Sequence, residues 1–319
     1  MKQSVAARGA FIHKIAQMDD TTSHAPEAVF QRFTLLSVQG VPLFRPIAEA
    51  WEPVVDFKAK PDDIVIATYP KAGTTWTQEI VDCILNGGDV EKTKRAPTHI
   101  RSPFLEICEV PPMPSGVDLL ENTPSPRLVK THLPYQLMPK SFWEQKCKII
   151  YVARNAKDSL VSYYFFELMN RAQPEPGTWE QYLEKFMKGE LAWGSWFDHV
   201  IGWWNAKDKH KILYLFFEDM KEDPKREIRK VMKFLGKELS EEVLEKICQH
   251  TTFEAMKDNS MANYSSVPDG LFDHSISSFM RKGAVGDWMN YFTVSQNKMF
   301  DEEYDKKMIA TDLKFRCSI

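Results

Sequence analysis

The sequence predicts an α/β protein, a single domain with a central, mostly parallel sheet flanked by helices. Three observations predict it. Four short apolar runs recur along the chain, as strands buried on both faces do. Helical patterns separate or follow them, the alternation that builds parallel sheets. No glycine- or serine-rich linker and no internal repeat divides the 319 residues. Residues 38–319 therefore read as one folded unit behind a flexible N-terminal extension, residues 1–37.

In chain order the runs are Ile64–Tyr69, Leu128–Thr131, Lys148–Ala153 and Ile212–Phe217. The first helix is predicted over Thr75–Leu85, stopped by Gly87-Gly88. Apolar residues at helical spacing predict a second over Asp158–Met169. A third, Asp223–Leu235, opens on Asp223-Pro224, a start signal with proline near the first turn. The proline-rich stretches Val110–Pro114 and Gln173–Pro176 read as surface loops.

Composition narrows the function. Hydrophobic residues make up 43% and aromatics 12%, enough for a substantial core. A net charge of -3 argues against a nucleic-acid binder that works through a broad positive field. No apolar run approaches the roughly 18 residues of a membrane span. The five cysteines are widely spaced and lack a CxxC, which reads as free thiols in a reducing, cytoplasmic setting and not as a zinc framework. The first 18 residues carry Lys2, Arg8 and Lys14 and no acid. They read as a disordered tail, with a mitochondrial transit peptide as the sharper alternative.

The chemistry gathers where strands end. After the first run comes TYPKAGTTW, residues 68–76. A strand-to-helix turn offers backbone N–H groups and a positive helix end to an anion. Gly73 permits the unusual backbone, Thr74 and Thr75 add hydroxyls, and Lys71 adds a full charge. The order of parts does not match the nucleotide loop GxxxxGK[ST]. In RLVKTHLP, Lys130 and His132 are two apart on a strand and share a face. The third run delivers Arg154, and Asp158, Ser162 and Phe166 follow at four-residue steps along one helix face. FMRKGAVGDW supplies Arg281, Lys282 and Gly283 as a second cationic clamp. Two clamps suggest a ligand with phosphates at both ends. Three classes stay open on these residues: group transfer without a metal, an ATP-dependent kinase with magnesium at Glu218 and Asp219, and a nucleotide-responsive binding protein.

Together TYPKAGTTW, KTHLP, YVARNAKDSLVSYY and FMRKGAVGDW, with PEPGTW, GSWFDHV and DPKREI, resemble the cytosolic sulfotransferases of family 1, the phenol or aryl type. The resemblance runs from about Val38 to the C-terminus. It implies a fold related to P-loop nucleotide kinases and 3′-phosphoadenosine 5′-phosphosulfate (PAPS) as sulfonate donor, with PAP as product and no metal. By resemblance Lys71, Ala72, Gly73, Thr74, Thr75 and Trp76 hold the 5′-phosphosulfate. Arg154, Ser162, Arg281, Lys282 and Gly283 fall at the 3′-phosphate. Trp76, Phe217, Thr251 and Phe253 fall around the adenine, and Phe279 and Met280 complete the donor set. Phe104, Tyr163, Phe166, Tyr264 and Phe279 fall near the acceptor pocket beside Lys130 and His132. His132 is then the general base, Lys71 the stabiliser of the leaving phosphate, Lys130 a contact for the sulfonate, and Ser162 a hydrogen-bond partner of Lys71. The implied partner is a small-molecule acceptor.

Three departures from the family pattern stand out, at five positions. Phe217 stands where many members have tyrosine, which removes a hydroxyl contact worth on the order of 1 kcal/mol. Ile47 and Ile107 stand where phenol-acting members often carry phenylalanine. In the family's dimer motif Thr293-Val294 is kept, but Met289 and Lys298 replace the paired lysine and glutamate; the expected ion pairing is gone, and the homodimer the resemblance implies is in doubt.

Overall fold

The computed structural model describes residues 32–109 and 114–319. The tail and transit-peptide readings, and residues 110–113 of the first proline-rich loop, lie outside the described residues. Six strands lie within them: β1 (Leu35–Val38), β2 (Val41–Phe44), β3 (Ile64–Thr68), β4 (Leu128–Thr131), β5 (Lys148–Ala153) and β6 (Ile212–Phe216). β1 and β2 form an antiparallel hairpin, and its first strand starts inside the stretch assigned to the N-terminal extension. The other four form one parallel sheet in the order β4-β3-β5-β6.

Period-two alternation sends successive side chains to opposite faces of that sheet. Val65, Ala67, Val129, Ile149 and Tyr151 enter one apolar layer. Ile64, Ile66, Leu128, Ile150 and Val152 enter the other. Helices cover both: α1 (Thr74–Leu85), α2 (Ala156–Met169), α3 (Trp179–Lys188), α4 (Trp196–Ala206), α5 (Pro224–Leu235), α6 (Glu241–His250) and α7 (Val294–Met308). α2, α3 and α4 bury Leu160, Phe186 and Trp203 in the first layer. α1, α5 and α6 bury Ile80, Val231 and Leu244 in the second.

The element boundaries have local causes. α1 begins at Thr74, one residue early, because Gly73 holds the N-cap position in a left-handed backbone, φ 100°. α2 begins at Ala156 because the Asn155 side chain accepts from Asp158 N–H, a cap worth about 1 kcal/mol. α5 is capped the same way by Asp223, with Pro224 in the first turn. β6 stops at Phe216, and Phe217 opens a short helix, Phe217–Glu222.

Register then positions the site. Ala67 pairs with Thr131, Thr68 with Val152, and Ala153 with Phe216. The chain therefore leaves all four strands at one edge, delivering TYPKAG, His132, Arg154 and Phe217 side by side. Strand order reverses direction at β3, the place where open α/β sheets bind ligands.

Candidate active site

His132 sits just past β4 and is buried. Its Nδ1 meets the Thr68 carbonyl at 2.8 Å. A carbonyl only accepts, so Nδ1 carries the proton and Nε2 keeps a lone pair. Burial, then the neighbouring charge of Lys130, holds the imidazole well below its usual range, against the pull of the Thr68 carbonyl. It is neutral at physiological pH. The Thr68 hydroxyl also bonds Thr74 at 2.7 Å, which ties the imidazole to the first residue of α1.

Lys71 adopts a left-handed backbone, φ 66°. Its ammonium lies 3.9 Å from the Phe279 ring and 4.4 Å from that of Phe166. It donates to the Phe279 carbonyl at 3.3 Å, in place of the Ser162 hydroxyl that the sequence suggests. Ser162 is half-buried on α2 between Asp158 and Phe166. Burial, then Lys130, Arg154 and Arg281, pull the Lys71 ammonium down to about 7.

Arg154 braces this loop from β5. Its guanidinium donates to the Lys71 carbonyl at 3.1 Å and the Ala284 carbonyl at 2.9 Å, and lies 4.5 Å from the Phe217 ring. The two cationic segments are thus joined through one side chain. Phe217 also meets Trp76 edge-on at 5.6 Å. A Cβ on Gly73 would stand 3.0 Å from the Phe217 ring, so the ring closes directly over the turn. Gly283, φ 58°, is pressed on by Phe253, and a Cβ there would stand 2.2 Å from that ring. Thr251 is buried, its hydroxyl spent on the Ile247 carbonyl at the end of α6. The Met280 carbonyl accepts from Ser278.

Arg281 and Lys282 share one carboxylate, Asp287, at 2.5 and 2.6 Å. Asp158 fixes the same loop by accepting from Gly286 N–H at 2.8 Å and Trp288 N–H at 3.0 Å. The Nε atoms of Arg154 and Arg281 and the Trp76 indole N–H are buried without a hydrogen-bond partner among the described residues. Buried donors of this kind cost free energy unless an acceptor arrives. Together with the helix start at Gly73, which has no side-chain cap, they fit an anionic nucleotide lying along this edge.

Two aromatic groups flank the imidazole and the ammonium. Phe104 packs 4.9 Å from His132 and carries the Lys130 ammonium 4.2 Å from its ring. Phe166 and Phe279 pack against Lys71 and each other, and Tyr264 lies 4.2 Å from Phe279. Tyr163 does not join them. It is fully buried, edge-on to Tyr69 and Tyr182 in the core, because it is one residue and about 100° round the helix from Ser162. Ile47 is also a core residue, whereas Ile107 is exposed.

One Glu218 oxygen and the Asp219 carboxylate are engaged, while Glu218 Oε2 is buried without a partner among the described residues. Glu218 accepts from the Asn155 backbone at 2.8 Å, and Asp219 pairs with Arg316 at 2.5 Å. Glu79, Cys83 and His250 place ligand atoms within 4.8 Å of one another, but Glu79 is already paired with the buried Arg101 guanidinium at 2.6 Å. The sequence reading missed Thr68, Glu106, Trp193, Phe272 and Asp287, all of which touch the groups above.

A family model described as a sulfotransferase domain matches residues 61–312. The chain belongs to the sulfotransferase family. Among its relatives, sulfotransferase 1B1 of Canis lupus familiaris is 57% identical over 91% of this chain and 98% of its own length. Human sulfotransferase 1C2 is also 57% identical, over 89% of this chain and 96% of its own. These relatives put the sulfotransferase in family 1. Among solved structures, retinol dehydratase in complex with androsterone and inactive cofactor PAP superposes with a TM-score of 0.81 at 28% identity, covering 89% of this chain and 92% of that one. All five cysteines of this sulfotransferase are free thiols. No helix among the described residues is long and apolar enough to cross a membrane.

Proposed function

We propose that this sulfotransferase moves a sulfonate group from PAPS to the hydroxyl or amine of a small phenolic acceptor, with His132 as general base. The donor is PAPS, and it supplies one chemistry, a sulfonyl group on its 5′-phosphate. The observation that carries the reading is the His132 imidazole: neutral, pinned at Nδ1 by a carbonyl, and tied through Thr68 to the anion loop. Its Nε2 is left to take the proton that an acceptor hydroxyl must lose.

The remaining roles follow from charge and position. Lys71 and the N–H groups at the start of α1 stabilise negative charge that grows on the 5′-phosphate. Lys130, on the same strand end as the base, would stabilise the oxygens of the sulfonyl group. Arg154, Arg281 and Lys282 would hold the 3′-phosphate, with Ser162 beside them, and Trp76, Phe217 and Phe253 would flank the adenine. Phe104, Phe166, Tyr264 and Phe279 wall the acceptor, a surface suited to a flat ring.

Radiolabelled PAPS incubated with a panel of phenols, catecholamines, steroids and arylamines tests this directly. Label is expected to move to a phenol, equally with and without chelator. Transfer from ATP that requires magnesium would replace this reading with a kinase. Oligomeric state is a separate expectation. Met289, Val294 and Lys298 are exposed, and the first and last cannot form the family's ion pair. Light scattering is therefore expected to give a mass near that of one chain, 37.0 kDa.

A further inference from the structure

Glu106 lies in the segment that runs beside β4, where Leu105 N–H donates to the Lys130 carbonyl at 2.9 Å. Its side chain is buried and receives three donors. Oε1 accepts from the His132 backbone N–H at 2.6 Å and from the Trp193 indole at 3.1 Å. Oε2 accepts from the Thr131 hydroxyl at 2.9 Å. That hydroxyl in turn accepts from Leu133 N–H at 3.0 Å, so its own proton points at the carboxylate. Residues 131, 132 and 133 therefore all hang on one acid.

Trp193 is the other piece. Its ring lies 5.3 Å from the imidazole and 5.9 Å from Phe104. Its backbone is left-handed, φ 64°, a conformation costing a bulky residue roughly 1–2 kcal/mol. The bond from its indole to Glu106 and the bond from its N–H to the Pro42 carbonyl, 2.8 Å, hold it there. One carboxylate thus sets the base and the ring beside it in a fixed relation.

We infer that Glu106 is a positioning residue for sulfonate transfer: its ionised carboxylate holds His132 against Trp193 and Phe104, so that Nε2 meets the acceptor oxygen. The inference rests on His132 being the base. Three donors aimed at one acid require it as an acceptor throughout. Burial nevertheless pushes the carboxyl up to about 7, against the hydrogen bonds from His132 and Thr131. The groups facing it are Lys130 of β4, His132 just past that strand, the uncharged Trp193, and His199 of α4, which donates to the His132 carbonyl at 2.9 Å. A proton can enter only on Oε2, since Oε1 already meets two N–H groups. The Thr131 hydroxyl would then have to turn round, and the segment it anchors would shift. Turnover is therefore expected to rise as pH climbs through about 7 and Glu106 ionises.

The experiment is the pH profile of kcat, at saturating PAPS and phenol, for the wild type, Glu106→Gln, Thr131→Val and His132→Ala. Glu106→Gln should lose about 10²-fold in kcat, the scale of a misplaced catalytic group, keep its PAP affinity, and lose the inflection near 7. Thr131→Val removes one donor to the ionised acid and should move that inflection to higher pH. Wild-type kcat in Glu106→Gln, a retained inflection, or joint loss of kcat and PAP affinity each overturns the inference. Should Glu106→Gln not fold, an unmoved inflection in Thr131→Val overturns it instead. His132→Ala separates the two layers. An active His132→Ala sinks the base assignment itself, whereas an inactive one beside a fully active Glu106→Gln sinks only the role of Glu106.

Discussion

His132→Ala is expected to lower kcat by about 10²- to 10⁴-fold with PAP affinity unchanged. The size follows from the chemistry. A phenol with a pKa near 10 keeps its proton at neutral pH, and its oxygen becomes a strong nucleophile only as that proton leaves. The structure gives the imidazole the right protonation state for this. Burial holds it neutral, and the Thr68 carbonyl fixes the proton on Nδ1. Donor affinity should survive because the contacts proposed for the nucleotide come from the 71–76 turn, Arg154 and the 281–283 segment. A second measurement separates base catalysis from a packing role. The loss should shrink for nitrophenols that are already ionised at the assay pH, since they have no proton to give. An equal loss for ionised and un-ionised phenols would show that the imidazole acts by packing alone.

The sequence made the cationic turn, the strand ends and the sheet readable for a physical reason. Each is local. The four apolar runs are short enough to be strands, and the residues that follow each run must emerge at the same edge once the strands are parallel. Lys71, His132 and Arg154 follow three of these runs, and the parallel register brings the ends of those strands to one edge. What stayed hidden is long-range. Glu106 reaches His132 across 26 residues, and Trp193 reaches Glu106 across 87. No periodicity signals such a pair, and an acid in a short loop segment looks like any solvated charge. Asp287 lay within the quoted FMRKGAVGDW motif but reads there as an ordinary turn residue, whereas the fold folds it back onto Arg281 and Lys282. Tyr163 is the opposite case: the resemblance implies a place near the acceptor pocket, whereas the ring packs against Tyr69 and Tyr182 in the core. Helical spacing left its place open, since Tyr163 is one step from Ser162 but three from Phe166, which can share its face.

Lys71→Met is expected to cost about 10²- to 10³-fold in kcat, the range seen when one donor to a developing oxyanion is removed. It should also change how protons follow the nucleotide, and this is the more specific consequence. Burial and three nearby cations hold the Lys71 ammonium down to about 7, so at pH 8 most free enzyme carries it neutral. A bound nucleotide anion reverses that balance, because opposite charge beside an amine favours its protonated form. Binding PAP at pH 8 must then draw close to one proton from solvent, whereas at pH 6 the lysine is already charged and none is drawn. By linkage, PAP affinity falls about tenfold per pH unit above 7, until the pH passes the raised pKa of the complex. Calorimetry in buffers of different ionisation enthalpy counts that proton. The Lys71→Met enzyme should take up none at this step and lose the steep fall. Proton uptake that persists in Lys71→Met would assign the titration to another group and leave Lys71 as a structural cation, held by the Phe166 and Phe279 rings and not engaged with phosphate.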